Sequence, residues 1–219
     1  MNDCKPAKTP LAARPAQEVK NLELRFIEHT KNIGEIHFRE LLTLFIKDSE
    51  FWNHFTAAPA AKRQHSAFSG GLLLHTVHVA DICAAIEPGN GLLMTGALLH
   101  DVGKMFTYAS GKDGLALTRE GALLDHIFLG CQFVEIYIRK INDFPVDQAI
   151  LLKHLIASHH GRLEWGSPVL PMIEEAIILH HADMIASRLE AYREAAAQIP
   201  PGKSGYSEQM RQYIYNRGE

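Results

Sequence analysis

The apolar run from Leu92 to Leu99 leads without a break into His100 and Asp101, in the string GALLHDVGK. That juxtaposition constrains the fold more than any other feature. Two ligand-type side chains at the end of a buried helix are costly unless something pairs with them. A divalent cation satisfies both, because imidazole gives a neutral nitrogen and the carboxylate supplies charge. The pattern recurs elsewhere. His75 lies one turn into a helix that Gly70 and Gly71 open, among Leu72, Leu73, Leu74, Val77 and Val79. Asp183 sits in IILHHADMIA, inside another apolar helix, where a buried acid wants a partner. His75, His100, Asp101 and Asp183 are therefore expected to form one mixed nitrogen–oxygen metal site.

Three further histidines suggest a second ion. His126 falls in LLDHIFLG, and His159 and His160 fall in IASHHGRLEWGSP. If Asp101 bridges, the second ion is held by Asp101, His126, His159 and His160. Two ions ~3.5–4 Å apart activate a water and steady the leaving oxygen in an in-line displacement. An imidazole-rich set favours Mn, with Fe, Ni, Co and Zn as alternatives, over Mg. Lys104 follows the ligand pair on the same rim and is expected to hold a phosphate oxygen as a point charge. Asp101 and Lys104 are the catalytic candidates. Lys104, Arg119 and Arg162 are the substrate-binding ones, and Trp165 either stacks on a base or packs under its own loop. Plain readings stand beside these: His100–Asp101 as a capped helix end, His160–Gly161 as a C-terminal cap, Arg119 and Arg162 as solvated surface charges. His154, His180 and His181 read as outer-layer or surface histidines, and His65 as a weak candidate for the mouth of the site.

The chain of 219 residues suits one domain with extended ends. Its 47% hydrophobic content suffices for a full core, and the net charge of −3 argues against strong nonspecific binding to nucleic acid. Cys4, Cys83 and Cys131 form no CxxC pair, which suits a reducing compartment. The first residues lack the apolar run of a signal peptide, and no apolar stretch looks long enough to span a membrane. The expected location is the cytoplasm. Residues 1–20 read as flexible, 21–199 as the functional domain and 200–219 as a C-terminal extension. Three- and four-residue apolar spacing predicts helices from Leu22 through the 38–46 stretch, then from Ser49 as N-cap to Phe55. Further helices are expected over 72–86, 92–99, 119–140, 146–158 and 171–197, with a hairpin-like loop over 108–117 and a last helix over 206–216. The fold class is all-α, a compact helical bundle.

On these residues the chain resembles the HD phosphohydrolase superfamily, defined by a His, a His–Asp pair and a distant Asp. Here those positions are His75, His100–Asp101 and Asp183. AAKRQHSAFSGGLLLHTVHVA, GALLHDVGK, LTREGALLDHIFLG and SHHGRLEWGSPVLP look like the HD domain of the YhaM-type 3′–5′ exoribonucleases, over roughly residues 50–195. The resemblance implies a helical HD fold and metal-dependent cleavage of phosphoesters, with single-stranded RNA or DNA ends as that branch's substrates. Three departures stand out. The roughly fifty residues before the similar region read as helical and cannot form that branch's N-terminal OB-fold. Gln64–His65 replaces a His–His pair, and Ala186 replaces a second acid. The expected function is a metal-dependent phosphohydrolase acting on a phosphomonoester or phosphodiester in a nucleotide or short oligonucleotide. The alternative is a non-catalytic HD sensor that binds metal and nucleotide. A homodimer is a further expectation.

Overall fold

A computed structural model of the protein describes residues 15–60, 69–111 and 114–218. In chain order it runs α1 (Ala16–Lys31), α2 (Ile36–Lys47), α3 (Ser49–Ala57), α4 (Gly71–Ile86), α5 (Gly91–Leu99), α6 (Lys104–Thr107), β1 (Tyr108–Gly111) and β2 (Gly114–Leu117). Then follow α7 (Arg119–Ile138), α8 (Val146–Ser158), a 3₁₀ turn (Leu163–Trp165), α9 (Glu174–Ala196), β3 (Lys203–Ser207) and β4 (Gln212–Asn216). The expected all-α bundle is borne out; both sheets are two-stranded antiparallel hairpins.

Which helices lie at the centre follows from their composition. α4 and α5 are apolar nearly all round, and helices of that kind must be covered on every side. Leu72, Leu73, Val77, Val79, Ala80 and Cys83 of α4 are wholly buried. α4 packs on α1, α3, α5 and α9, while α5 also packs on α8. α1 and α2 have one apolar stripe each, through Leu22 and Phe26 and through Phe38, Leu41, Leu42 and Phe45. They cover the bundle from outside. An aromatic cluster joins α2 and α3 to α7: Phe45 stacks on Tyr137 at 4.2 Å between centroids, and Phe51 on Phe133 at 5.0 Å.

Several expectations need correction. The N-terminal reach of 1–20 is not all irregular, since Ala16–Lys31 is helical; residues 1–14, and His65 with Gln64, lie outside the described residues. The N-cap of α3 is Asp48 rather than Ser49, and its carboxylate accepts the Phe51 N–H at 3.1 Å. The expected last helix over 206–216 is the β3–β4 hairpin, with Tyr206 opposite Tyr213. Alternation over Gln212–Asn216, with Ile214 inward and Tyr213 and Tyr215 outward, is a period of two, which a helix cannot use. The 108–117 hairpin is present as expected. One helix, α7, is long and apolar enough to cross a membrane by length and composition alone, contrary to the sequence reading. Yet its backbone breaks at Asp125 (φ 62°, ψ 160°), and His126, Ile127, Gly130, Val134, Tyr137 and Ile138 pack inward.

Candidate metal centre

Five stretches of chain converge on one buried cluster. α4 supplies His75, the turn after α5 supplies His100 and Asp101, and α6 opens with Lys104. α7 supplies His126 just past its kink, the end of α8 supplies His159 and His160, and α9 supplies Asp183. Asp101 lies at the centre and is 1% exposed.

The two oxygens of Asp101 face different partners. Oδ2 lies 3.4 Å from His100 Nε2, 3.6 Å from His75 Nε2 and 2.6 Å from the Lys104 ammonium. Oδ1 lies 3.5 Å from both His126 Nε2 and His159 Nε2. On the first side, His75 Nε2 is 3.0 Å from Asp183 Oδ1 and 3.4 Å from His100 Nε2. His75, His100 and Asp183 could thus hold one cation, and His126, His159 and His160 another. The ligand atoms within each trio lie within 4.8 Å of one another. Asp101 sits between the two trios.

The outer nitrogens are tied down. His100 Nδ1 pairs with the Ala97 carbonyl at 2.9 Å, His159 Nδ1 with Ile156 O at 2.7 Å and His160 Nδ1 with Trp165 O at 2.9 Å. A carbonyl only accepts, so each Nδ1 carries the proton and each Nε2 presents a lone pair inward. That leaves Asp101 Oδ1, His126 Nε2 and His159 Nε2 buried with no hydrogen-bond partner. Orphaned acceptors of this kind are expensive in a protein interior. A divalent cation accepts electron pairs from all of them, so the residues present fit the group.

Electrostatics agree for the His126, His159 and His160 trio. Burial drives the His159, His126 and His160 pKa values down, outweighing the nearby carboxylates, and keeps these rings neutral. Burial also opposes charge on His75, but the Asp183 and Glu190 carboxylates overcome it and push its pKa up to about 10. Burial works against ionising Asp101, yet the Lys104 ammonium beside it holds it well below the usual carboxylate range. Lys104 is likewise held charged against its own burial by Asp101 and then Asp183.

Two glycines shape the site. A Cβ on Gly103 would lie 1.9 Å from His126 O and 2.6 Å from Gly130 N, so only glycine lets the His100–Lys104 turn touch α7. Gly161 has φ +75°, and a Cβ there would strike the His180 ring at 2.3 Å. His180 Nδ1 pairs with His159 O at 2.8 Å, bracing that ligand segment rather than Asp183.

Three contributors escaped the sequence reading. Asp125 meets His126 Nδ1 at 2.5 Å, and its left-handed backbone turns that ring inward. Ser187 donates to Asp183 at 3.2 Å. Glu190 is 5% exposed, lies 3.7 Å from His75 Nδ1 and pairs with His78 Nδ1 at 3.0 Å. Its spacing of seven from Asp183 puts both on one face of α9, a signal available in the sequence. The arginines behave differently from the cluster. Arg119 is exposed on the first turn of α7, and Arg162 lies over the Trp165 ring at 4.7 Å and near Glu164 at 3.7 Å. Trp165 is itself 45% exposed rather than packed under its loop. Beside the cluster opens a cleft of about 260 Å³, walled by His159, His160, Trp165, Asp183, Met184 and Arg188.

A family model described as the HD domain matches residues 72–188, the span that carries every one of these candidate ligands from His75 to Asp183. The chain belongs to the HD domain family. Similar curated proteins include the 3′-5′ exoribonuclease YhaM of Bacillus velezensis, 32% identical over 90% of this chain and 68% of its own length. The protein of the same name from Bacillus subtilis is 30% identical with the same coverage, and that from Oceanobacillus iheyensis is 30% identical over 89% of this chain and 62% of its own. No solved structure matches significantly. This HD chain is a metal-dependent phosphohydrolase, as its resemblance implied.

Proposed function

We propose that the protein is a phosphodiesterase that trims single-stranded RNA or short oligonucleotides from their ends, with manganese as the working metal at two neighbouring positions. One observation carries the reading: Asp101 presents each of its oxygens to a separate trio of ligand-type side chains, with Oδ1, His126 Nε2 and His159 Nε2 left unpaired. The relatives' exoribonuclease activity supplies the substrate class. His75, His100, Asp101 and Asp183 would hold one ion, and Asp101, His126, His159 and His160 the other. When bound, such ions supply Lewis-acid polarisation of the phosphoryl group and make the attacking water more acidic.

The remaining work falls to the chain itself. Lys104 keeps its ammonium charged beside Asp101 and grips a non-bridging phosphoryl oxygen as negative charge grows there. The carbonyl-anchored His100, His159 and His160 keep their inner nitrogens aligned, so no reorganisation accompanies the reaction. The cleft along Trp165 and Arg188 receives the departing nucleotide. Arg119 and Arg162 are assigned to the approach of the phosphate backbone, and the compartment to the cytoplasm. Residues 21–199 act as one unit, since α1 packs on α4 and α2 on α5 and α7.

The test is turnover of bis-p-nitrophenyl phosphate and of a short RNA with added Mn. Asp101→Asn is expected to abolish both while leaving the circular dichroism spectrum intact. Nucleotide binding with no product from the wild-type protein would instead identify a sensor.

A further inference from the structure

The β3–β4 hairpin lies beyond the 72–188 match and carries nothing that the catalytic cluster uses. Its two faces differ sharply. Ile214 turns inward and is 5% exposed, and Gly205 opposite it fits closely against Ile199. The other face bears Tyr206, Tyr213 and Tyr215, which are 51%, 76% and 54% exposed. Register places Tyr206 directly across from Tyr213, with Tyr215 two residues further along the same face. The Tyr206 and Tyr213 rings meet edge to face at 5.3 Å. Three large rings held out in water by a rigid ribbon call for an occupant.

The ribbon is fixed to the catalytic helix. Asn216 donates its side-chain amide to Ala196 O and Ile199 O at 3.1 and 2.7 Å, and the Tyr192 hydroxyl donates to Tyr215 O at 2.7 Å. Tyr192 lies nine residues beyond Asp183 on α9, about 14 Å along the axis at the usual helical rise. The local charge is basic although the chain is acidic overall. Lys203, Arg211 and Arg217 are exposed, and Glu208 is the one acid among described residues 200–218.

We propose that this tyrosine ribbon is a binding platform for single-stranded RNA, on which bases stack while Lys203, Arg211 and Arg217 meet the phosphates. Exposed aromatic rings beside cations are the combination that holds single strands without reading sequence. A second copy of the chain is the poorer occupant: five-residue strands give a footprint of about 17 by 10 Å, far short of the roughly 800 Å² per side of a stable pair. The choice of RNA takes its substrate class from the function proposed above, but the test separates the two.

Anisotropy of a fluorescein-labelled oligouridylate, titrated with the full chain in EDTA, reads binding without turnover. The double variant Tyr206→Ala/Tyr213→Ala is expected to weaken binding by about tenfold or more. Arg211→Gln/Arg217→Gln is expected to flatten the dependence of log affinity on log salt by about 1.4, at ~0.7 per phosphate contact. Both variants are expected to hydrolyse bis-p-nitrophenyl phosphate at the wild-type rate. No RNA binding by the wild type, or unchanged affinity in the tyrosine variant, overturns the platform. So does a tyrosine variant that shifts from dimer to monomer in sedimentation with its RNA affinity intact. Wild-type chain that binds RNA but never cleaves the small ester refutes the catalytic reading and leaves the platform standing.

Discussion

Glu190 is a carboxylate that faces the outer nitrogen of His75, at 3.7 Å, a longer reach than the 2.7–2.9 Å by which backbone carbonyls hold the His100 and His159 rings. Each candidate ligand ring needs its outer nitrogen oriented so that the inner one points at the proposed cation, and Glu190 acts on His75 as a nearby negative charge, with His78 on its far side. Outer partners of metal-binding histidines typically matter by 10–100-fold in affinity. Glu190→Gln is accordingly expected to weaken Mn binding by roughly 10-fold or more in calorimetry, with Glu190→Asp recovering part of it. Lys104 is proposed to act on the substrate instead. Lys104→Met is expected to lower kcat by about 10²-fold while leaving Mn content at the wild-type level, measured side by side in one preparation. A fall in metal content would place Lys104 with the ligands.

Elements hold the site because a few joints are close. The α6–α7 joint is the tightest: Gly103 backs directly onto His126 O and Gly130 N. Gly103→Ala is expected to cost ~1–3 kcal/mol, as over-packing does, and to shift His126, read as a lowered Tm together with weakened Mn binding. A second joint ties α3 to α7, where the Tyr137 hydroxyl donates to the Asp48 carboxylate that also caps α3. The tyrosine hydroxyl, then the Phe51 N–H, hold the Asp48 pKa below its ordinary value. A depressed carboxyl stabilises the fold above its unfolded pKa, and that contribution fades as pH falls through the folded value. Thermal melts of Tyr137→Phe should therefore fall below wild type at neutral pH, and the two should converge in strong acid. A gap that stayed constant with pH would mean the joint acts through packing alone. The elements themselves were mostly legible, because α1, α2 and α3 carry a one-sided apolar stripe and α4 and α5 are apolar runs opened by glycines. The C-terminal hairpin was not: five-residue strands offer only two or three alternations, and the helical context upstream outweighed them.

Across the whole molecule, the ligand types were readable and their arrangement was not. Buried His and Asp in apolar runs announce a cost that only a partner removes, so the sequence exposed His75, His100, Asp101 and Asp183 as a group. Nothing in one dimension reveals that Oδ1 and Oδ2 of Asp101 look toward different trios, or that Asp125 breaks α7 to aim His126. Convergence depends on α4 and α5 being covered on all sides, which draws the end of α8 and the middle of α9 over the same point. Glu190 lies two turns beyond Asp183 on the same face of α9, where only the seven-residue spacing marks it. Binding of metal to the folded form alone should also raise Tm as Mn is added.

The bridge proposed at Asp101 joins two cation sites. Elemental analysis of protein loaded with Mn and freed of excess ion tests it directly, with His159→Ala and Asp101→Asn alongside. Two equivalents are expected in the wild type, one in His159→Ala and close to none in Asp101→Asn. A wild-type protein that holds no manganese, or an Asp101→Asn variant that retains its full complement, would contradict it.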